Sequence, residues 1–280
     1  MQSTKYFRAV LAVGALALAS TAALADEVII STGYEGGSYH NVFGRNLGHI
    51  LAEQRHDVTL VTSAGSRDNL ERLSRGEADV AFTQADAYAA FAKTNTGMPA
   101  NIIGSLTEEC LFVAVGDHTG FDDEDDLQAE GVKIAVGEQG SGSAMSWDFA
   151  RELEPGYAAA STYYQGGILA LSQVRAGQMD AFFWVTAPGN LDHKYLQAVN
   201  MDNSGLHMID FNDWDMNDTL PNGESVYEFK DVKVEDRRFG GTVEVPCTDV
   251  LVVARPDMAS GALESVATAI MMNTNRILGR

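Results

Sequence analysis

The chain has 280 residues, 39 acidic and 19 basic, with a formal net charge of −20 and 45% hydrophobic residues. This is enough for one large or two ordinary domains with real cores, and apolar residues spread along the whole chain exclude disorder. No basic stripe exists for nucleic acid or anionic lipid, so the acidity speaks of a solvated surface and of steering.

In chain order, Lys5 and Arg8 precede an uncharged run from Ala9 to Ala25 that ends in Ala23-Leu24-Ala25. A charged start, a short apolar stretch and a small-residue exit read as a secretory signal peptide over residues 1–25, cleaved after Ala25. The alternative is a retained anchor, for which the apolar stretch falls short of the ~20 residues a span needs. The expectation is therefore an exported, periplasmic and soluble protein, with no later segment apolar enough to cross a membrane.

Beyond Asp26, strand and helix signals alternate: a strand at Val28–Ile30, a helix from about Asn41, a strand from Val58 to Thr62, a helix from about Asp68, then a strand from Asp79 to Thr83. Phe43, Leu47, Ile50 and Leu51 fall on one helical face. The pattern restarts with a strand at Lys133–Val136, a helix from about Ala144, and strands at Thr162–Tyr164 and Asp180–Trp184. Such alternation predicts βαβ units around a mostly parallel sheet.

The halves superpose at a fixed offset: Gly65 meets Gly166, Leu70 meets Leu171, Gly76 meets Gly177, Asp79 meets Asp180 and Phe82 meets Phe183. Each unit reads Gly, short helix, Gly-x-x-Asp, apolar strand. The second glycine suits a left-handed position at the helix end, and the aspartate suits the turn into the strand. Two such units in register, each preceded by its own Gly-rich turn, predict two similar α/β lobes.

The Gly-rich turns are Ser31-Thr-Gly-Tyr-Glu-Gly-Gly-Ser-Tyr39 and Val136-Gly-Glu-Gln-Gly-Ser-Gly-Ser143. Glycines there expose free amides at helix starts, while Ser38 and Ser143 can cap the helix or bind a ligand. Two amide-rich helix starts facing each other could hold an anionic small molecule; the plainer alternative is a pair of tight turns with serine caps.

Cys110 and Cys247 each open a strand-like run. In an exported chain they suggest one disulfide closing a long loop, with two buried thiols as the alternative. No Cys-x-x-Cys or His-Glu-x-x-His indicates a metal. Asp213, Asp215, Asn217 and Glu224 have the 1-3-5-12 spacing of a calcium loop, but Asp218 replaces its glycine and Pro221 interrupts it, so the segment reads as an acidic surface loop.

Ser31 to Tyr39, Thr62-Ser-Ala-Gly-Ser-Arg-Asp-Asn-Leu70 and Gly76-Glu-Ala-Asp-Val-Ala-Phe-Thr-Gln84 resemble the TAXI family, the solute receptors of tripartite ATP-independent periplasmic (TRAP) transporters. Ala135 to Ser143, Gly177 to Phe183 and Val245-Pro246 with Val250–Val253 continue the resemblance. It implies the α/β type II periplasmic binding protein fold, with two similar doubly wound lobes and a hinge of two crossover strands. Lobe 1 would comprise 26–113 plus 250–280, and lobe 2 114–249. The cysteines would fall at the crossings, where a bridge would tie the hinge. The protein would close on a small solute, without a cofactor, and deliver it to a TRAP-type permease. Glu35, His40 and Arg67 depart from the family pattern, as does the segment from Phe211 to Gly241.

The candidate ligand-binding residues are Ser38 and Tyr39 at the first turn, Ser63, Gly65 and Ser66 at the next helix start, and Gln84 at a strand end. Ser141, Gly142 and Ser143 form the opposing jaw, with Trp184 at the matching strand end. With no arginine inside the turns, a carboxylate (an amino acid, or a 2-oxo or dicarboxylic acid) would rest on amides and hydroxyls, with Arg67 as the one nearby cation that could join them. The alternatives are a receptor serving an ABC importer, a periplasmic sensor, or an exported enzyme. The last is disfavoured, because no serine sits in Gly-x-Ser-x-Gly and the six histidines are scattered.

Overall fold

The computed structural model describes residues 26–95, 100–238 and 240–280; the expected signal peptide lies outside them. The first βαβ unit runs β1 (Glu27–Ser31), a single π-helical turn Tyr39–Gly44, α1 (Arg45–Glu53), β2 (Asp57–Val61), α2 (Ser66–Ser74) and β3 (Val80–Gln84). After α3 (Ala85–Thr94) comes the long strand β4 (Asn101–Gly116). The second unit is β5 (Lys133–Ala135), α4 (Gly142–Leu153), β6 (Ser161–Tyr163), α5 (Gly167–Arg175) and β7 (Ala181–Thr186). There follow α6 (Lys194–Val199), β8 (Leu206–Ile209), β9 (Glu228–Lys233), the long strand β10 (Thr242–Ala254) and α7 (Ser260–Ile277).

One continuous sheet threads the molecule in the order β2-β1-β3-β10-β4-β7-β5-β6, with β8 on β4 and β9 on β10. Pairing is parallel within each βαβ unit and antiparallel at β10 and β4, the two strands that both halves share. The far end of β10 lies on β3 and its near end on β9; the start of β4 lies on β10 and its end on β7. At the changeover Cys110 and Cys247 are register partners and form a disulfide.

Side-chain alternation explains why these strands read as unbroken apolar runs. Val250, Val252 and Ala254 enter one core with Leu47, Leu51, Val266 and Ile270, beneath α1 and α7. Leu251 and Val253, one residue out of phase, enter the other core, which continues into the second lobe through Trp147, Phe182 and Phe183. The expected α1 face is buried, with Leu47 and Leu51 fully so.

The repeat holds in three dimensions. Gly76 and Gly177 end α2 and α5 with φ of 69° and 68°, the left-handed conformation that glycine adopts without strain. Asp79 accepts the Ile29 N–H at 2.7 Å and Asp180 accepts the Lys133 N–H at 2.8 Å, so each aspartate ties its own strand to the first strand of its unit.

Candidate functional site

The parallel strands of both lobes point their carboxyl ends at one cleft of about 420 Å³. Four α-helices begin at it: α2 from the first lobe, and α4, α5 and the short α6 from the second. The first amides of a helix have no intrahelical acceptor, and the helix dipole adds partial positive charge there. The wall is thus anion-accepting without an arginine. Gly65 and Gly166, partners in the repeat, cap α2 and α5 and both line the cleft.

Gly65 has φ 134°, outside the range of L side chains, and a Cβ on it would lie 3.2 Å from the Gly140 carbonyl oxygen. A Cβ on Gly142 would meet the Gln84 side chain at 2.1 Å. Glycine at both positions lets the two jaws touch, and α3 packs on α4 beside them. The lobes are closed.

Ser38, Tyr39, Gly65, Ser66, Gln84, Ser141, Gly142, Ser143 and Trp184 all line the cleft; Ser63 does not. Ser63 is buried, and its hydroxyl accepts the Gly65 N–H at 3.2 Å, shaping the turn from below. Several serines are partly committed to the protein. Ser141 Oγ accepts the Ala144 N–H as the α4 cap, and Ser143 Oγ accepts the Val185 N–H at 3.0 Å. Ser66 Oγ donates to Gln84 Oε1 at 3.3 Å. Trp184 is 2% exposed between Phe112 and Phe182, and its indole N–H has no partner in the protein. An unpaired buried donor on a cleft wall is a costly arrangement that a ligand oxygen would relieve.

The sequence reading missed Glu109, on β4 one residue before the disulfide. Its Oε2 accepts both Gln84 Nε2, at 2.9 Å, and Tyr39 Oη, at 3.2 Å. Gln84 therefore serves to hold this carboxyl. Burial pushes the Glu109 carboxyl up to about 7, against the two hydrogen bonds that pull it down. A carboxylate pair within a strand that is otherwise apolar towards its end, Glu108-Glu109 before Cys110, was the available signal. Also missed were His193, Lys194 and Tyr195 at the start of α6, which close the second-lobe side. Burial lowers the His193 imidazole below its ordinary value. Glu35 and Arg67, which depart from the family pattern, do not line the cleft.

His40, beside Ser38 in sequence, is bonded to Thr32 Oγ1 at 2.9 Å. Asp213 of the acidic loop accepts the Tyr157 hydroxyl at 3.0 Å. Among the described residues no group of three or more His, Cys, Asp or Glu could hold a metal ion, and no helix is long and apolar enough to cross a membrane.

No curated protein sequence matches the chain significantly. Among solved structures, a Bordetella bronchiseptica RB50 protein is 20% identical with a TM-score of 0.50, over 90% of this chain and 69% of its own. A Xanthomonas citri protein bound to ATP is 11% identical with a TM-score of 0.57, over 91% and 89%. The GluR0 ligand-binding core from Nostoc punctiforme, in complex with L-glutamate, is 11% identical with a TM-score of 0.52, over 89% and 95%. At this identity the likeness is one of fold: the type II periplasmic binding protein fold, two doubly wound lobes on shared crossover strands. Residues 30–229, which include both jaws and the Glu109 floor, match the model of the NMT1-like family, and the chain belongs to that family.

Proposed function

We propose that the protein is a periplasmic solute receptor of TAXI type, which closes its lobes on a small carboxylated molecule and presents it to a TRAP-type membrane permease. The observation that carries this reading is the convergence of the α2, α4 and α5 starts, drawn from both lobes, on one enclosed cleft. A carboxylate held by amides of α2, α4 and α5 would draw the lobes together, because each lobe supplies part of its coordination. Trp184 offers the same ligand a further donor, and the aromatic wall around it excludes water.

Within the carboxylates, an amino acid suits the cleft best. Glu109 places a carboxyl in the same cleft wall as these helix starts, and a ligand ammonium would complete it. The TRAP partnership rests on the sequence motifs that resemble the TAXI family. Export and the periplasmic location rest on the N-terminal segment and fit the disulfide, which persists in an oxidising compartment.

The test is a thermal-shift screen of the mature protein against amino acids, 2-oxo acids and dicarboxylates. A ligand at 100 times its Kd adds about 2.7 kcal/mol of stability, a shift of several degrees. A shift confined to amino acids is expected. Silence from every carboxylate, with calorimetry of the same set equally flat, would overturn the reading.

A further inference from the structure

Asp86, the second residue of α3, is fully buried, yet it lies outside the cleft wall. It sits in the seam between the lobes. Its Oδ2 accepts the hydroxyl of Tyr227, from the segment before β9, at 3.1 Å, and its Oδ1 accepts the Ala87 N–H at 2.6 Å. Its own N–H donates to Thr248 Oγ1 on β10 at 3.3 Å. Across the seam Ser146 of α4 stands against the carboxyl, its hydroxyl without a hydrogen bond of good geometry.

Among the described residues, no cation is bonded to this carboxyl. The titratable groups around it are Glu109 from β4, Tyr39 from the π-helical turn and Tyr227, none of which is positively charged. α4 and β10 contribute only the hydroxyls of Ser146 and Thr248. On its own helix the Lys93 ammonium is taken by Asp218 at 2.9 Å and Glu152 at 3.2 Å. Burying an unpaired carboxylate is expensive, and such a group takes up a proton instead.

We propose that Asp86 is a proton-binding latch on the seam: the carboxyl is neutral when the lobes are closed and ionised when they part, so closure on solute takes up a proton. This rests on the receptor reading above for the solute, and on the lobe seam alone for the proton. Burial raises Asp86 to about 6 in the closed form, against an ordinary carboxylate value near 3.8 for a solvated aspartate. The sign follows from the linkage of protonation to conformation. Below about pH 4 both forms are protonated and closure is unhindered. As pH rises from about 4 to 6 the closed form progressively loses that advantage, and above about 7 none is left.

The experiment is small-angle scattering of the ligand-free mature protein between pH 4.5 and 7.5, with calorimetric titration of L-glutamate over the same range. The closed population of the free protein should rise on acidification. The L-glutamate Kd should weaken by up to tenfold per pH unit between 4.5 and 6, roughly 30-fold over that range, and then level off. Asp86→Asn, neutral and nearly isosteric, should remove the dependence between pH 4.5 and 6 from both profiles, leaving only the change near 7 that Glu109 contributes, and should bind at pH 6 as the wild type does near pH 4. Tyr227→Phe removes a bond that favours the ionised carboxyl and should move the midpoint to higher pH. That variant serves if Asp86→Asn does not fold. Flat profiles for the wild type, or a midpoint that Tyr227→Phe leaves unmoved, would overturn the latch. Acid-driven closure without binding of L-glutamate or of any other carboxylate would retain the latch and overturn the solute reading.

Discussion

Glu109 is held by two donors on one oxygen, which makes Gln84 a positioning residue for the floor of the cleft. Gln84→Ala should weaken solute binding about tenfold or more in calorimetry while the unfolding midpoint in urea stays close to wild type. Ser143→Ala leaves the part-buried Val185 N–H without its acceptor, and should cost about 1 kcal/mol in urea unfolding besides any loss of affinity. Gly65→Ala combines a forbidden φ with a contact on the opposite jaw, so it should favour the open form and weaken binding strongly. Scattering of Gly65→Ala at saturating solute, showing a radius as small as the wild type's, would refute the role given to that contact. Most of the candidate residues were readable because helix starts announce themselves through glycine and serine. Glu109 was not, because its role depends on which strand crosses beneath the cleft, a non-local fact. Ser63 misled for a related reason: a serine in a turn next to a site serves the turn as readily as the site.

Among the elements, the twin Gly-x-x-Asp units show why the sequence repeat has structural force. Asp79 and Asp180 each satisfy the amide of a neighbouring strand, and Asp79 also receives Arg255 Nε at 2.7 Å. Asp79 is the more enclosed of the two, so Asp79→Ala should destabilise by roughly 2–3 kcal/mol and Asp180→Ala by about 1–2 kcal/mol, read as urea midpoints. The reverse order would show that the Arg255 pair contributes nothing. Strand and helix positions came within a few residues of those expected, since period and punctuation are local. The first helix differs: Ser38 leads into a π-helical turn over Tyr39–Gly44 before regular helix begins at Arg45. There a Cβ on Gly44 would lie 2.5 Å from Thr32 Cγ2, so the chain passes close over β1. No periodicity in the sequence records that approach. The outer strands β8 and β9 were equally unannounced, lying in or beside the stretch that departs from the TAXI pattern.

For the whole molecule, two long strands and one disulfide carry the connection between the lobes. The bridge closes a loop with a sequence separation of 137 residues, for which chain entropy predicts up to roughly 5 kcal/mol of stabilisation. A Cys110→Ala/Cys247→Ala double variant should therefore unfold at clearly lower urea concentration, while its solute affinity changes little. An unchanged midpoint would assign the bridge to some other task.

Both β1 and α7 belong to the first lobe, while the second lobe hangs between the two bridged cysteines. A pull on the two ends of the mature chain would therefore travel through the Cys110–Cys247 bond and never reach the second lobe. In an optical trap the oxidised molecule would extend by the first lobe alone, shorter than the full chain by roughly 450–490 Å at 3.3–3.6 Å per residue. The second lobe would remain folded on its tether, and adding a reductant would release it as a separate, later step.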